Sequence, residues 1–503
     1  MRTERTTAGT PGNRTRKTSA KTQTRTQQGG KHSAGRPDNS GRGGRCGSAG
    51  EEPARESGRE RRCLYSRRCG GCSMVNVPYE EQLRRKQEDV ETCIGTFGPV
   101  APILRMKNPD HYRNKVTAVF AKDYSGRGMG SFQGYRQDRG SGRAAGRKNG
   151  GGQIICGIYE KGTHRVVPVE RCLLENVRAD AIVQSVRSLM PSFRIEPYDE
   201  DLGTGILRYV QVRTAHSTHQ IMVTLVTAGP ILPSRNNFTE ALRRLHPEIT
   251  TIVQNINDRT DSMILGERDR ALYGPGYIED RLCGKLFRIS PHAFYQVNSL
   301  QTEKLYNIAI DFAGLSGKET VLDAYCGIGT IGICASDRAR ELIGVELNAE
   351  AIRDAQVNAQ RNGLTESGDR TGAESFAGSG TSEDSAAEKR AKTRPAARAR
   401  FYQMDATEFM QEMAAEGQKV DVLFMDPPRA GAAEEFVDAA SRIAPEKIVY
   451  ISCNPETLGR DLARFCQRGY RLQKAQPVDM FPATGWVETV CLLSKRRPDT
   501  TID

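Results

Sequence analysis

The stretch Thr320-Val321-Leu322-Asp323-Ala324-Tyr325-Cys326-Gly327-Ile328-Gly329-Thr330 decides the fold. Its first four residues read as a buried strand, and the rest as a glycine-bearing turn into a helix. Outward from it the pattern repeats. Strands are expected at 341–347, with Glu346 at the end, and at 420–425, Lys447–Ser452 and 487–494, with helical patterns between them at Ala349–Arg361 and 455–466. Short apolar runs alternating with amphipathic stretches predict a doubly wound α/β sheet whose ligands sit at the carboxyl ends of its strands.

The loop Asp323-x-x-Cys326-Gly327-x-Gly329 places glycines where a backbone must approach a ligand closely, and Glu346 follows at the end of the next strand. A carboxylate there can accept both hydroxyls of a ribose. A dinucleotide site would use a full G-x-G-x-x-G turn. Here only G-x-G stands, behind an acidic strand end, which suits the cationic amino acid half of S-adenosylmethionine better. An ordinary glycine-rich βα turn would look similar, so later motifs carry the weight.

At the end of one strand stands Asp426-Pro427-Pro428-Arg429-Ala430-Gly431, and at the next Ser452-Cys453-Asn454-Pro455-Glu456-Thr457. Asp-Pro-Pro after an apolar strand is a feature of base-methylating enzymes, the prolines stiffening the loop while the Asp faces a planar polar substrate. Cys453 just before a helix N-terminus is expected to have a lowered thiol pKa and to favour the thiolate nucleophile. A buried structural thiol is the competing reading, and it suits Cys466 and Cys491.

The chain has 503 residues and a formal charge of +12. No run of eighteen apolar residues and no secretory leader is legible, so the chain is read as soluble and cytoplasmic, with no membrane partner. From 1 to 62 there are fifteen Lys/Arg against six Asp/Glu and no Val, Ile, Leu, Phe, Tyr or Trp, which predicts a disordered basic arm. The Gly/Arg-rich stretch 123–153 and the Ser/Gly/Ala/Glu-rich stretch 365–400 read as inserted surface loops. Removing the arm's +9 and the insertions' +4 and +1 leaves the patterned residues at −2, so the attraction for a polyanion is peripheral. Thirteen cysteines without a leader argue against a disulfide framework. Cys63, Cys69 and Cys72, in a C-x5-C-G-G-C array, suggest zinc or an iron-sulfur centre, with Cys156 or Cys172 as the fourth ligand.

These motifs resemble the RNA (uracil-5-)-methyltransferase family, and most closely its iron-sulfur branch, the 23S ribosomal RNA uracil-5-methyltransferases. The resemblance runs from about Cys63 to Lys495. It rests on the cysteine array, Tyr112-Arg113-Asn114-Lys115, Phe294-Tyr295-Gln296-Val297-Asn298, the Asp323 loop, Asp426-Pro427-Pro428-Arg429, Ser452-Cys453-Asn454-Pro455 and Asp479-Met480-Phe481-Pro482-x-Thr484-x-x-x-Glu488. Many members open with a small β-barrel, for which the first sixty residues here have no apolar material.

The resemblance implies a Rossmann-like S-adenosylmethionine-dependent methyltransferase domain at 291–503, behind a smaller β-rich central domain at 63–290 that carries the cluster and binds RNA. It implies Cys453 as nucleophile and Glu488 as base. Gln296, Tyr325, Thr330, Glu346, Asp405 and Asp426 match positions around the cofactor and the target base, and Phe294 an aromatic that stacks on a flipped uracil. Cys63, Cys69, Cys72 and Cys172 match ligands to a 4Fe-4S cluster, Cys172 being preferred because it follows Val166-Val167-Pro168-Val169 as the family's fourth cysteine does. The implied partner is 23S ribosomal RNA, met by a monomer. Rival readings are the same reaction on transfer RNA, a non-catalytic RNA-binding protein, and an amino-methylating enzyme suggested by Asp-Pro-Pro alone.

Overall fold

The computed structural model describes residues 63–124, 152–365 and 397–495. The basic arm and most of both expected insertions lie outside these residues. Two seven-stranded sheets organise the rest.

The first sheet contains β1 (Lys115–Asp123), β2 (Gln153–Tyr159), β3 (Val166–Pro168), β4 (Leu207–Thr214), β5 (Ile221–Thr227), β6 (Ile249–Ile256) and β7 (Arg268–Tyr273), in the spatial order β3-β2-β1-β4-β5-β6-β7. All neighbours are antiparallel except β5 and β6. That parallel pair needs a crossover, and α3 (Arg235–Leu245) supplies it. One face is covered by α3 and by α2 (Val177–Leu189), whose apolar sides bury Val183, Val186, Phe238 and Leu242 against Val210, Val212 and Val223. On the other face Met222 and Val253 join a core that continues through Leu305, Ile331 and Phe424 into the second sheet. A hairpin of β8 (Ile278–Leu282) and β9 (Lys285–Ile289) leads between the two.

The second sheet is built from β10 (Thr320–Ala324), β11 (Glu341–Glu346), β12 (Arg398–Gln403), β13 (Val422–Met425), β14 (Lys447–Ser452), β15 (Tyr470–Val478) and β16 (Glu488–Lys495). Their order is β12-β11-β10-β13-β14-β16-β15, parallel from β12 to β14, with β16 reversed. The chain winds from β10 outward to β12 and then crosses to β13, so a crevice opens at the carboxyl end of β10. The doubly wound α/β architecture expected from the sequence is therefore present.

Two boundaries differ from the sequence reading. Residues 398–400, expected inside an insertion, form the start of β12, because Arg398, Ala399 and Arg400 pair with Glu341, Leu342 and Ile343. The helix α1 (Tyr79–Ile94) falls within the expected central domain, yet Val90 and Ile94 are buried with Leu458, Leu462 and Leu472 of the second sheet's layer. The chain after it bridges to Ala475 and Val478 through Val100 and Leu104. A buried ion pair fixes this docking: Lys86 Nζ lies 2.6 Å from Asp479 Oδ1, both side chains being fully buried. Tyr79 donates its hydroxyl to Asp479 Oδ2 (2.7 Å), and Lys86 also reaches the carbonyl of Phe481 (3.0 Å). Among the described residues no helix is long and apolar enough to cross a membrane.

Candidate active site

Four strand ends meet at the crevice. In parallel register Ala324 stands level with Val345 and with Met425, so the residues that follow, Tyr325, Glu346 and Asp426, emerge side by side. The turn after β10 needs positive φ at Gly327 (56°) and Gly329 (80°), and a Cβ on Gly329 would come 2.8 Å from Ile333. Asp323 is buried, and its Oδ2 accepts from the amide of Gly332 (2.8 Å), tying β10 to α5 (Thr330–Ala335). Its Oδ1 is sealed from solvent without a partner, and burial pushes the carboxyl up to about 7.

Glu346 accepts from the amides of Gly327 (3.2 Å) and Asn348 (2.9 Å), one on each carboxylate oxygen. Each oxygen keeps a further lone pair, which fits acceptance of two adjacent hydroxyls. Asp405 caps α7 (Ala406–Ala415) through Oδ1, taking the amides of Thr407 (2.8 Å) and Glu408 (3.3 Å). Tyr325, at φ 66°, lays its ring 5.5 Å from that of Phe436, and burial and the nearby Asp405 charge raise its hydroxyl pKa. The Thr330 hydroxyl is 3.2 Å from that of Tyr306.

Three motifs that are far apart in the chain are knitted together beside this crevice. The Asn114 side chain donates to the Gln296 carbonyl (2.9 Å) and to Ser299 Oγ (3.0 Å), while Tyr112 donates its hydroxyl to the Pro482 carbonyl (3.2 Å). Asn298 caps α4 (Ser299–Ala313) and donates to the carbonyl of Met480 (2.9 Å). Arg213, from β4, holds the carbonyl of Ala293 (2.9 Å). Gln296 is thereby buried, whereas Phe294 is left 65% exposed.

Cys453 follows β14 and Glu488 opens β16. The ladder between them ends at the Ser452–Thr489 pair, which sets the two functional side chains opposite each other one residue further on. Glu488 is 3% exposed with no partner for Oε2; burial raises its pKa well above the carboxylate range, Asp426 adds to this, and Arg429 opposes it. Burial likewise holds Asp426 at about 7. The Asp-Pro-Pro-Arg loop is fastened to the loop that carries Cys453, since Asn454 Nδ2 (3.3 Å) and Thr457 Oγ1 (3.2 Å) both donate to the carbonyl of Arg429.

One sequence expectation fails here. The thiol of Cys453 is not lowered but pushed up to about 11, first by burial and then by Glu488 and Asp426, with Arg429 acting against them. The helix terminus expected to lower it is already engaged: Asn454 caps α9 (Pro455–Gln467) by accepting the amide of Glu456 (3.1 Å). Arg429, quoted in the sequence only as part of a motif, is thus the cation of the site. Its guanidinium sits 4.0 Å from the ring centre of Trp486, a second residue that sequence reading passed over.

The cysteine array packs against the segment that leads into β16, with Cys72 and Cys172 beside Ala483. Cys69 and Cys72 each feel the charge of Cys63, and Cys72 packs with Cys172 on a small cluster around Tyr112 and Leu174. Burial raises Cys72 to about 11 and Cys172 to about 12. Cys156, the other candidate, is fully buried in the core of the first sheet. Among the described residues no group of three or more His, Cys, Asp or Glu is disposed to hold a metal ion. The donor types suit a soft metal centre, but their present spacing does not, and no chemical step is derived from one.

Residues 276–496 match a family model described as tRNA (Uracil-5-)-methyltransferase. An uncharacterized RNA methyltransferase of Listeria innocua is 36% identical over 438 residues, 86% of this chain and 83% of that one. Another, of Halalkalibacterium halodurans, is 34% identical over 436 residues, 86% and 82% of the two chains. The fold is similar to that of the Pyrococcus abyssi tRNA (uracil-54, C5)-methyltransferase in complex with S-adenosyl-L-homocysteine, with a TM-score of 0.61 at 23% identity, covering 84% of this chain and 86% of that one. Fold and sequence together define an RNA methyltransferase. The chain belongs to the RNA (uracil-5-)-methyltransferase family.

Proposed function

We propose that the chain methylates carbon 5 of a specific uridine in 23S ribosomal RNA, with S-adenosylmethionine as methyl donor and a transient covalent bond between Cys453 and the base. The observation that carries this reading is Cys453 standing opposite Glu488 at the end of the β14–β16 ladder. Carbon 5 of uracil is a weak nucleophile. Cys453 Sγ, having given its proton to solvent, bonds carbon 6 and moves the ring electrons towards the carbonyl oxygen, so that carbon 5 becomes enolate-like. S-adenosylmethionine supplies the electrophilic methyl group. Glu488 then removes the proton from carbon 5, and the bond from Cys453 to carbon 6 breaks. A carboxyl group with a raised pKa is a stronger base once ionised, which suits this step. Asp426 and Gln296 orient the base, and Phe294, exposed at the rim, offers a ring for a base drawn out of its stack.

The Glu346, Asp405 and Tyr325 constellation supports a nucleoside-bearing cofactor at the β10 crevice. The cysteine array supports the ribosomal branch: Cys63, Cys69, Cys72 and Cys172 are the thiol donors that a 4Fe-4S cluster would take. Anaerobically purified protein should then contain iron and absorb broadly in the visible, and zinc alone would overturn this assignment.

RNA carrying 5-fluorouridine should form a gel-stable complex with the protein and cofactor. An unchanged yield with Cys453→Ala would refute the covalent route. Mapping 5-methyluridine in ribosomal and transfer RNA from a deletion strain separates the 23S reading from methylation of transfer RNA.

A further inference from the structure

Trp486 is the chain's single tryptophan. It lies two residues before Glu488, in the connection between β15 and β16, and remains 43% exposed. The segment that carries it is pinned at several points. The Gly485 amide donates to Ser73 Oγ (2.9 Å), the Trp486 amide to Thr484 Oγ1 (3.3 Å), and the Met74 amide to the carbonyl of Ala483 (2.9 Å). The indole is therefore presented by a braced loop.

The guanidinium of Arg429 covers one face of the ring at 4.0 Å. The carbonyl of Arg429 accepts from Asn454 Nδ2 (3.3 Å) and Thr457 Oγ1 (3.2 Å) in the loop that carries Cys453, and Trp486 stands two residues before Glu488, so the Trp486–Arg429 stack borders the catalytic pocket. With a cation at its ring and 43% of the residue exposed, Trp486 offers large, polarisable aromatic surface to whatever enters. Exposed indoles are uncommon, and single-stranded nucleic acid meets proteins through such stacking platforms beside a positive charge. Phe294, which is also exposed, is held from the first sheet's side through Ala293 and Gln296, whereas Trp486 belongs to the second sheet.

We propose that Trp486 stacks on a nucleobase flanking the target uridine and, with Arg429, sets the path of the RNA strand past Cys453. This rests on the methylation reading above. Drawing a base out of a strand leaves its neighbours without a stacking partner, and Trp486 replaces one of them. It is a positioning residue: it acts on the substrate's register and not on the bond-making atoms.

Because no other tryptophan is present, fluorescence excited beyond the absorption of the sixteen tyrosines reports the surroundings of Trp486. Titrating the full chain with a single-stranded oligouridylate, with binding followed independently by anisotropy of a labelled copy, should quench the emission in step with saturation. Unchanged emission at saturation would overturn the proposal. On 23S ribosomal RNA transcribed in vitro, Trp486→Ala and Trp486→Leu should raise KM about tenfold with kcat nearly unchanged, and Trp486→Phe should restore the parent KM. Equal KM values for Leu and Phe at this position would show that bulk, not a ring face, is what matters, and would also overturn it. If the parent protein transfers no methyl group to RNA, the reading of the reaction fails. If the parent is active and all three variants match it, only the stacking assignment fails.

Discussion

Cys453 and Glu488 stand opposite each other across an antiparallel ladder, one residue beyond the Ser452–Thr489 pair. The placing of the proposed nucleophile and base is thus set by β16, the strand that runs against β10–β14. A purely parallel sheet would bring the next strand's carboxyl end, not its amino end, to the same edge, and Glu488 at the start of a strand would lie at the far side.

The raised thiol of Cys453 has a direct kinetic consequence. Alkylation of the Cys453 peptide in the free protein, followed by mass spectrometry, should quicken about tenfold per pH unit between pH 7 and 10, as the thiolate fraction grows towards a pKa of about 11. Arg429→Gln removes the cation that lowers this pKa, so its alkylation at pH 8 should be slower still. A rate already level at pH 8 would show that the thiolate is favoured after all.

Glu488→Gln should separate addition from release. Cys453 can still attack and the methyl group can still be accepted, but the carbon 5 proton has no acceptor. Turnover should fall by about 10²–10⁴, and a methylated protein–RNA complex should accumulate on ordinary uridine RNA, visible in a denaturing gel. Rapid turnover without a trapped complex would place the base elsewhere.

Asp323 gives the fold a pH dependence of defined sign. Its carboxyl sits at about 7 in the folded protein, against about 3.9 in an unfolded chain. The folded state holds the proton more tightly, so the stability it contributes is fully present below about pH 4 and is lost as pH rises through 7. Asp426 acts in the same direction. The urea midpoint should fall between pH 5 and pH 8. Asp323→Asn keeps an acceptor for Gly332 and should show a smaller fall, by a few kcal/mol at most; an identical fall would move the effect to other groups.

Lys86→Met should cost about 3–5 kcal/mol, because it leaves Asp479 buried without its cation. Adding Asp479→Leu should recover much of that loss, since an apolar pair removes the uncompensated charge. Urea unfolding of the two variants and the parent checks this. A loss below about 1 kcal/mol in the single variant would mean that water reaches the pair.

What was legible in the sequence is what short-range pattern encodes. The β10 strand and its glycine turn, the helix Ala349–Arg361 and the strand Lys447–Ser452 stand where periodicity places them. Asp323, Glu346, Asp426 and Cys453 were found because strand ends of a doubly wound sheet converge by topology. Long-range pairing was not legible. Nothing local marks Lys86 as a buried cation, since its partner lies 393 residues away. Nor does the helical pattern of α1 say which sheet it will cover. The Cys453 thiol was misjudged because helix proximity can be read from order along the chain, whereas burial beside two carboxylates cannot. Asp479 is in sequence only the first residue of a motif that ends at Glu488, and in the fold it anchors α1.

The ends of the two stretches that fall between the described segments meet in the fold. Asp123 pairs with Gln153 across the β1–β2 ladder, and Thr365 bridges to Arg398 at the start of β12. Each intervening stretch therefore leaves and rejoins at adjacent backbone positions, like an appendage sewn onto a closed seam. These two seams are the natural places to graft an affinity tag or a reporter domain while leaving the catalytic crevice untouched.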